Sequence, residues 1–215
     1  MMRSLGIVAA LGVVVAGIVA FGLAPREVTQ GNVQRIMYVH VPAIGVAYLA
    51  FILVFVASIT YLWTRAPEAD HTAHAATEVG VLFLGVNIAT GAIWGKPTWG
   101  TWWTWDARLT SAAILFVVFV GYLLVRRMTD DHERGARFAA VVGIVGALNI
   151  PLVHFSVYWW RALHQPPTFL KPGPAAASAS IGWSLLVCFA GFALIGAYFV
   201  SKRSALLRAQ QQASA

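Results

Sequence analysis

The sequence predicts an all-α membrane protein: a bundle of six transmembrane helices forming a single integral membrane domain over residues 1–215. Three observations predict it. Of the 215 residues, 59% are hydrophobic and only 11% are charged, against about 25% charged in a soluble domain. The mean hydropathy is +0.72. Apolar runs recur at roughly 5–23, 44–63, 79–94, 109–125, 138–157 and 181–200, each near the ~20 residues that cross a bilayer. Backbone polar groups find no water in lipid, so such runs are helical. Six spans and short loops leave no room for an ATPase domain, and no Walker A pattern occurs.

Each run has its own markers. The first follows Arg3 and, at 19 residues, exceeds the ~7–15 of a signal-peptide core, so a retained helix is expected. The second follows Tyr38-Val-His40-Val-Pro42, which places His40 at the end of an outer loop. The third and fourth flank a tryptophan-rich stretch at about 94–110. The fifth holds Asn149, Pro151 and His154, which mark a kinked helix with freed backbone groups. The sixth follows the small-residue stretch 172–180 and ends at Lys202-Arg203.

Orientation follows from Lys and Arg. One side carries nine (Arg3, Arg65, Arg126, Arg127, Arg134, Arg137, Lys202, Arg203, Arg208); the other carries six (Arg26, Arg35, Lys96, Arg108, Arg161, Lys171). The richer side reads as cytoplasmic, with both termini there and loops 24–43, 95–108 and 158–180 facing outward. The net charge of +7 is thus read as membrane topology, and no nucleic-acid partner is expected. The single cysteine, Cys188, excludes an internal disulfide, a CxxC redox pair and a cysteine zinc site. No CxxCH haem-attachment signature occurs either.

Eight of the nine tryptophans (94, 99, 102, 103, 105, 159, 160 and 183) fall on or near the outer side, whereas an ordinary aromatic belt populates both interfaces. Five of them, Trp94, Trp99, Trp102, Trp103 and Trp105, lie within twelve residues. Indoles offer broad apolar faces with one N–H at the edge, a surface suited to a flat hydrophobic ligand. Asp106 is placed to cap the fourth helix or to orient an indole or Arg108. Arg108, with Arg35, Lys96 and Arg161, is a candidate for ligand carboxylates. His71, His74 and His132 read as solvated residues of cytoplasmic loops. His40 and His164 stand on two outer loops that flank the tryptophans, and imidazole is a favoured ligand of haem iron. No local motif ties them together. His154 competes for a ligand role, with packing inside the kinked helix as its other reading.

The run Trp94-Gly-Lys-Pro-Thr-Trp-Gly-Thr-Trp-Trp-Thr-Trp-Asp106-Ala-Arg-Leu-Thr110 resembles the WWD signature of haem-handling proteins. With Tyr38-Val-His40-Val-Pro42 and the stretch from Asn149 to Gln165, which includes Trp159, Trp160 and Arg161, it is similar to the CcmC (haem exporter protein C) family of cytochrome c maturation over about residues 36–165. The resemblance implies a bacterial inner-membrane protein with its WWD loop on the periplasmic side. It implies haem b held by His40 and His164 as axial iron ligands, with Trp99, Trp102, Trp103, Trp105 and Asp106 in the loop that presents haem to the chaperone CcmE. The implied partners are CcmE, the ABC-transporter subunits CcmA and CcmB, and the small protein CcmD. A haem lyase-like role, promoting covalent attachment of haem to the chaperone, stays open. Tyr158 stands where the family leads one to expect an acidic residue, and Pro166-Pro167 stiffens the third outer loop. Two rivals remain: a b-type cytochrome subunit, which needs facing histidines inside helices, and a permease subunit, which needs ionisable residues in mid-membrane.

Overall fold

The fold is known from a computed structural model that describes residues 2–129, 131–164 and 178–214. Gln165, Pro166, Pro167 and Lys171, and most of the stretch 172–180, lie outside the described residues. Every long element is helical: α1 (Met2–Ile18), α2 (Met37–Thr64), α3 (Pro67–Trp99), α4 (Ala107–Val125), α5 (His132–Ala147), α6 (Asn149–Trp159) and α7 (Ala179–Ser214). A π turn, Val19–Leu23, extends α1, and a 3-10 turn, Val33–Ile36, leads into α2. Together they give six helices long and apolar enough to cross a membrane, α5 and α6 sharing the fifth span. The break at Leu148, ahead of Pro151, is the kink expected from the sequence. Asn149 Nδ2 donates to the Ser111 carbonyl 3.0 Å away, satisfying a group of the neighbouring α4 and not of its own helix.

Several helices outrun their apolar runs. The third run begins near residue 79, whereas α3 begins at Pro67. Proline suits a first helical position, where no N–H partner is needed, and Glu68 and Asp70 in the first turn suit the helix dipole. His71 and His74 therefore sit on a helix and not in a loop, and His71 is buried at 5% exposure. That correction has a local cause. Arg126, just past α4, grips Asp70 with both terminal nitrogens, at 2.5 and 2.6 Å. Arg203 of α7 grips Glu78 through Nε and Nη2, at 2.5 and 2.8 Å, and His74 Nε2 lies 3.3 Å from Glu78. Paired charges need no bulk water, so this polar end of α3 packs inside the bundle.

The middle of the molecule is apolar. Phe51 of α2 stacks on Phe119 of α4 with centroids 3.7 Å apart and planes 5° from parallel, and both rings are fully buried. Helix α1 lies on α7 through small residues. A Cβ on Gly191 would stand 2.5 Å from the Gly12 carbonyl oxygen, so the two backbones approach as only small residues permit.

The Arg126 and Asp70 side chains are only 8% and 4% exposed. Removing one partner of a buried pair strands the other charge. Asp70→Ala should therefore lower stability by about 3–5 kcal/mol, read as a reduced midpoint of thermal unfolding in detergent. The double variant Asp70→Ala/Arg126→Leu should recover much of that loss.

Candidate functional site

At the end of the bundle opposite these ion pairs, helices α2, α3, α4 and α6 wall a cavity that is open at its mouth. Helix α2 contributes His40, Ile44 and Tyr48, a stripe with four-residue spacing that lies on one helix face. Helix α3 contributes Asn87, Gly91, Trp94 and Trp99, and α4 contributes Arg108. His164 reaches the same cavity from the stretch after α6.

The two histidines meet there. Their ring centroids are 6.4 Å apart with planes 29° from parallel. Trp94 stands edge-on to His40 at 5.7 Å, and Trp99 lies 5.8 Å from His164, so an indole adjoins each imidazole. His40 is not a loop residue as expected. It occupies the first turn of α2, its Nδ1 3.0 Å from the Asn87 carbonyl oxygen and 3.2 Å from Thr90 Oγ1.

The tryptophan stretch is also less of a loop than expected. Trp94 to Trp99 form the last turns of α3, despite Pro97. Gly100 then caps that helix with φ +80°, a left-handed conformation that glycine adopts without strain. Lys96 Nζ donates to the Gly100 carbonyl at 3.0 Å, which commits it to the turn. The irregular segment is thus the short one from Gly100 to Asp106. Asp106 caps α4, its Oδ1 accepting from the Leu109 N–H at 2.9 Å. Trp102 and Trp105 are 56% and 80% exposed, and Trp159 and Trp160 are 57% and 51% exposed. They present apolar surface at the same end of the molecule and do not line the cavity.

A second feature is chemical. Buried polar atoms almost always find partners. Yet Trp103 Nε1, Thr104 Oγ1, Asp106 Oδ2, Arg108 Nη1, Thr110 Oγ1 and, across the cavity, Tyr48 Oη have none among the described residues. Of these, Trp103, Arg108 and Tyr48 line the cavity, and their donors beside an apolar cleft suit an amphipathic ligand with an anionic end. Arg35 is placed otherwise. Its guanidinium donates to the Phe21 and Ala24 carbonyls, closing the end of α1, and it does not line the cavity. Arg161 is exposed outside it. His154 packs edge-on against Tyr48 at 6.5 Å and Phe155 at 4.9 Å, so it borders the site through an aromatic neighbour.

Sequence reasoning missed four residues here. Gln30 Oε1 accepts from Trp94 Nε1 at 2.8 Å and anchors the last turns of α3. Tyr48, Asn87 and Thr90 are single polar residues in apolar spans. The available signals were the four-residue spacing from His40 to Tyr48 and the rarity of an asparagine inside a span.

Comparison with known proteins shows the family. The family model described as Heme exporter protein C, CcmC, matches residues 1–215. A Heme exporter protein C of Bradyrhizobium diazoefficiens is 40% identical over 192 residues, covering 89% of this chain and 72% of that protein. The Heme exporter protein C of Escherichia coli (strain K12) is 36% identical over 194 residues, covering 90% and 78%. A mitochondrial protein of Marchantia polymorpha, named as ccmC-like and for cytochrome c biosynthesis, is 36% identical over 178 residues, covering 83% and 75%. A full-length family match and six membrane-crossing helices identify the chain as a member of the haem exporter protein C family, multi-pass proteins of the bacterial inner membrane that handle haem in cytochrome c biogenesis.

Proposed function

We propose that this protein binds haem b in the cavity between His40 and His164 and presents it to the chaperone CcmE on the periplasmic side. The observation that carries the reading is the placement of two imidazoles 6.4 Å apart in a tryptophan-walled cleft. Metal–imidazole bonds are about 2 Å, and a ring centre lies roughly 1 Å beyond its nitrogen, so two histidines on one iron have centres about 6 Å apart. The spacing fits that requirement.

Cargo with a flat apolar body and two carboxylates also fits the walls. Trp94, Trp99 and Trp103 line the cavity and would cover the macrocycle. Arg108, with its unpartnered nitrogen, would meet a propionate. The bias of nine Lys and Arg against six supports an outward cavity with both termini cytoplasmic. The exposed Trp102, Trp105, Trp159 and Trp160 would then form an apolar rim on which the chaperone docks. The chain holds no nucleotide-binding motif, which is consistent with a complex in which CcmA and CcmB supply ATP chemistry, beside CcmD. The facing pair, His40 and His164, has one member outside the helices, whereas a b-type electron carrier needs a pair held within them.

Two outcomes are expected. His40→Ala and His164→Ala, purified singly in detergent, should each lose the low-spin absorption and resonance signals of bis-imidazole haem. Unchanged haem content and an unchanged axial spectrum in both would overturn the ligand assignment. Arg108→Gln should keep that spectrum but weaken haem retention by about tenfold or more, as expected when a charged hydrogen bond worth ~1.5–3 kcal/mol is lost. Haem titration of the apoprotein measures it.

A further inference from the structure

We infer that Asn87, Thr90 and Gly91 of α3 are positioning residues for His40: they fix its tautomer and ring plane so that Nε2 faces the cavity as the lone-pair nitrogen. This rests on the reading of His40 as an iron ligand and names what makes it one.

The tautomer follows from the partners. The Asn87 backbone carbonyl, 3.0 Å from Nδ1, accepts only, so Nδ1 must carry the proton. Thr90 Oγ1 gives its own proton to the Val86 carbonyl at 2.7 Å and so also accepts from Nδ1, at 3.2 Å. A neutral imidazole has a single N–H. With two acceptors holding it at Nδ1, Nε2 is left as the base. The Asn87 side-chain nitrogen lies 3.2 and 3.3 Å from Nδ1 and Nε2; an amide N–H only donates, so with the proton on Nδ1 its one possible acceptor on the ring is Nε2, a contact that a ligand of Nε2 would replace. It also donates to the His40 carbonyl at 3.0 Å, a clasp between α2 and α3. Ligand histidines commonly gain orientation and basicity from such an outer partner.

The ring plane is set by space. A Cβ at Gly91 would stand 2.9 Å from His40 Cε1 and 3.5 Å from Nδ1. The imidazole therefore lies in a notch that only glycine leaves open. Asn87, Thr90, Gly91 and Trp94 follow the i, i+3, i+4, i+7 spacing of one helix face, so a single stripe of α3 holds the ring on several sides.

Gly91→Ala separates this inference from a merely structural role. Alanine favours a helix more than glycine does, and the atom it meets belongs to the far end of the His40 side chain and not to backbone. The variant should fold with unimpaired thermal stability. It should lose haem affinity by about 10-fold or more, the usual effect of disturbing a ligand's outer partner, and show the same spectral change as His40→Ala. Millimolar imidazole should restore the low-spin spectrum. Thr90→Val should weaken haem binding in the same direction, whereas Thr90→Ser should bind as the parent does. This pair carries the test if Gly91→Ala proves unstable. Parental haem affinity and spectrum in both Gly91→Ala and Thr90→Val, with His40→Ala defective, would overturn the positioning role and leave the ligand reading standing. A normal spectrum in His40→Ala would overturn the reading beneath it.

Discussion

A polar group buried among membrane helices has to be satisfied by the protein or by something the protein carries. The two ends of this bundle meet that constraint differently. At one end Asp70 is held by Arg126 and Glu78 by Arg203, each through two hydrogen bonds. At the other, Tyr48, Trp103, Asp106 and Arg108 keep buried atoms without partners beside an open cleft. The ion pairs hold α3 against α4 and α7. The unpartnered groups that line the cleft are where the bundle has capacity for an external molecule.

Helix α3 connects the two. Its first turns carry Asp70, His74 and Glu78, its middle carries Asn87 and Thr90, and its last turns carry Trp94 and Trp99. A rigid helix spanning the molecule places the histidine cradle and two cavity tryptophans in one register. Helix α2 lies against it, joined near the cavity by the Asn87–His40 clasp and in the core by Phe51, whose ring fills the space over Gly80. The positions of His40, Trp94 and Trp99 are thereby inherited from helix packing, whereas Trp103 and His164 are placed by non-helical segments.

Much of this was legible in the sequence. Six apolar runs gave six spans because lipid leaves helices as the only solution for such segments. The tryptophan-rich stretch and the pair His40 and His164, distant in sequence, meet round one cavity. Helix ends were less legible, since hydropathy sees Glu68, Asp70, His71 and Glu78 as a loop until the arginines that pair two of them are known. Trp94 to Trp99 read as loop for a related reason: glycine and proline punctuate the stretch, but the helix continues to Gly100. Asn87 and Thr90 were illegible because their partner lies 47 and 50 residues away on another helix. Nothing local marks a lone polar residue as a clasp. Arg35, which reads as a ligand cation, instead closes the end of α1, a use that depends on where the π turn leaves its carbonyls.

The two imidazoles are mounted on unlike supports. His40 grows from the first turn of α2 and is wedged against α3, whereas His164 hangs from the non-helical stretch that follows Trp159. The pair is built like a vise with one fixed jaw. One side of the gap between the rings is therefore set by the packing of α2 on α3, and the other by the course of the few residues after α6.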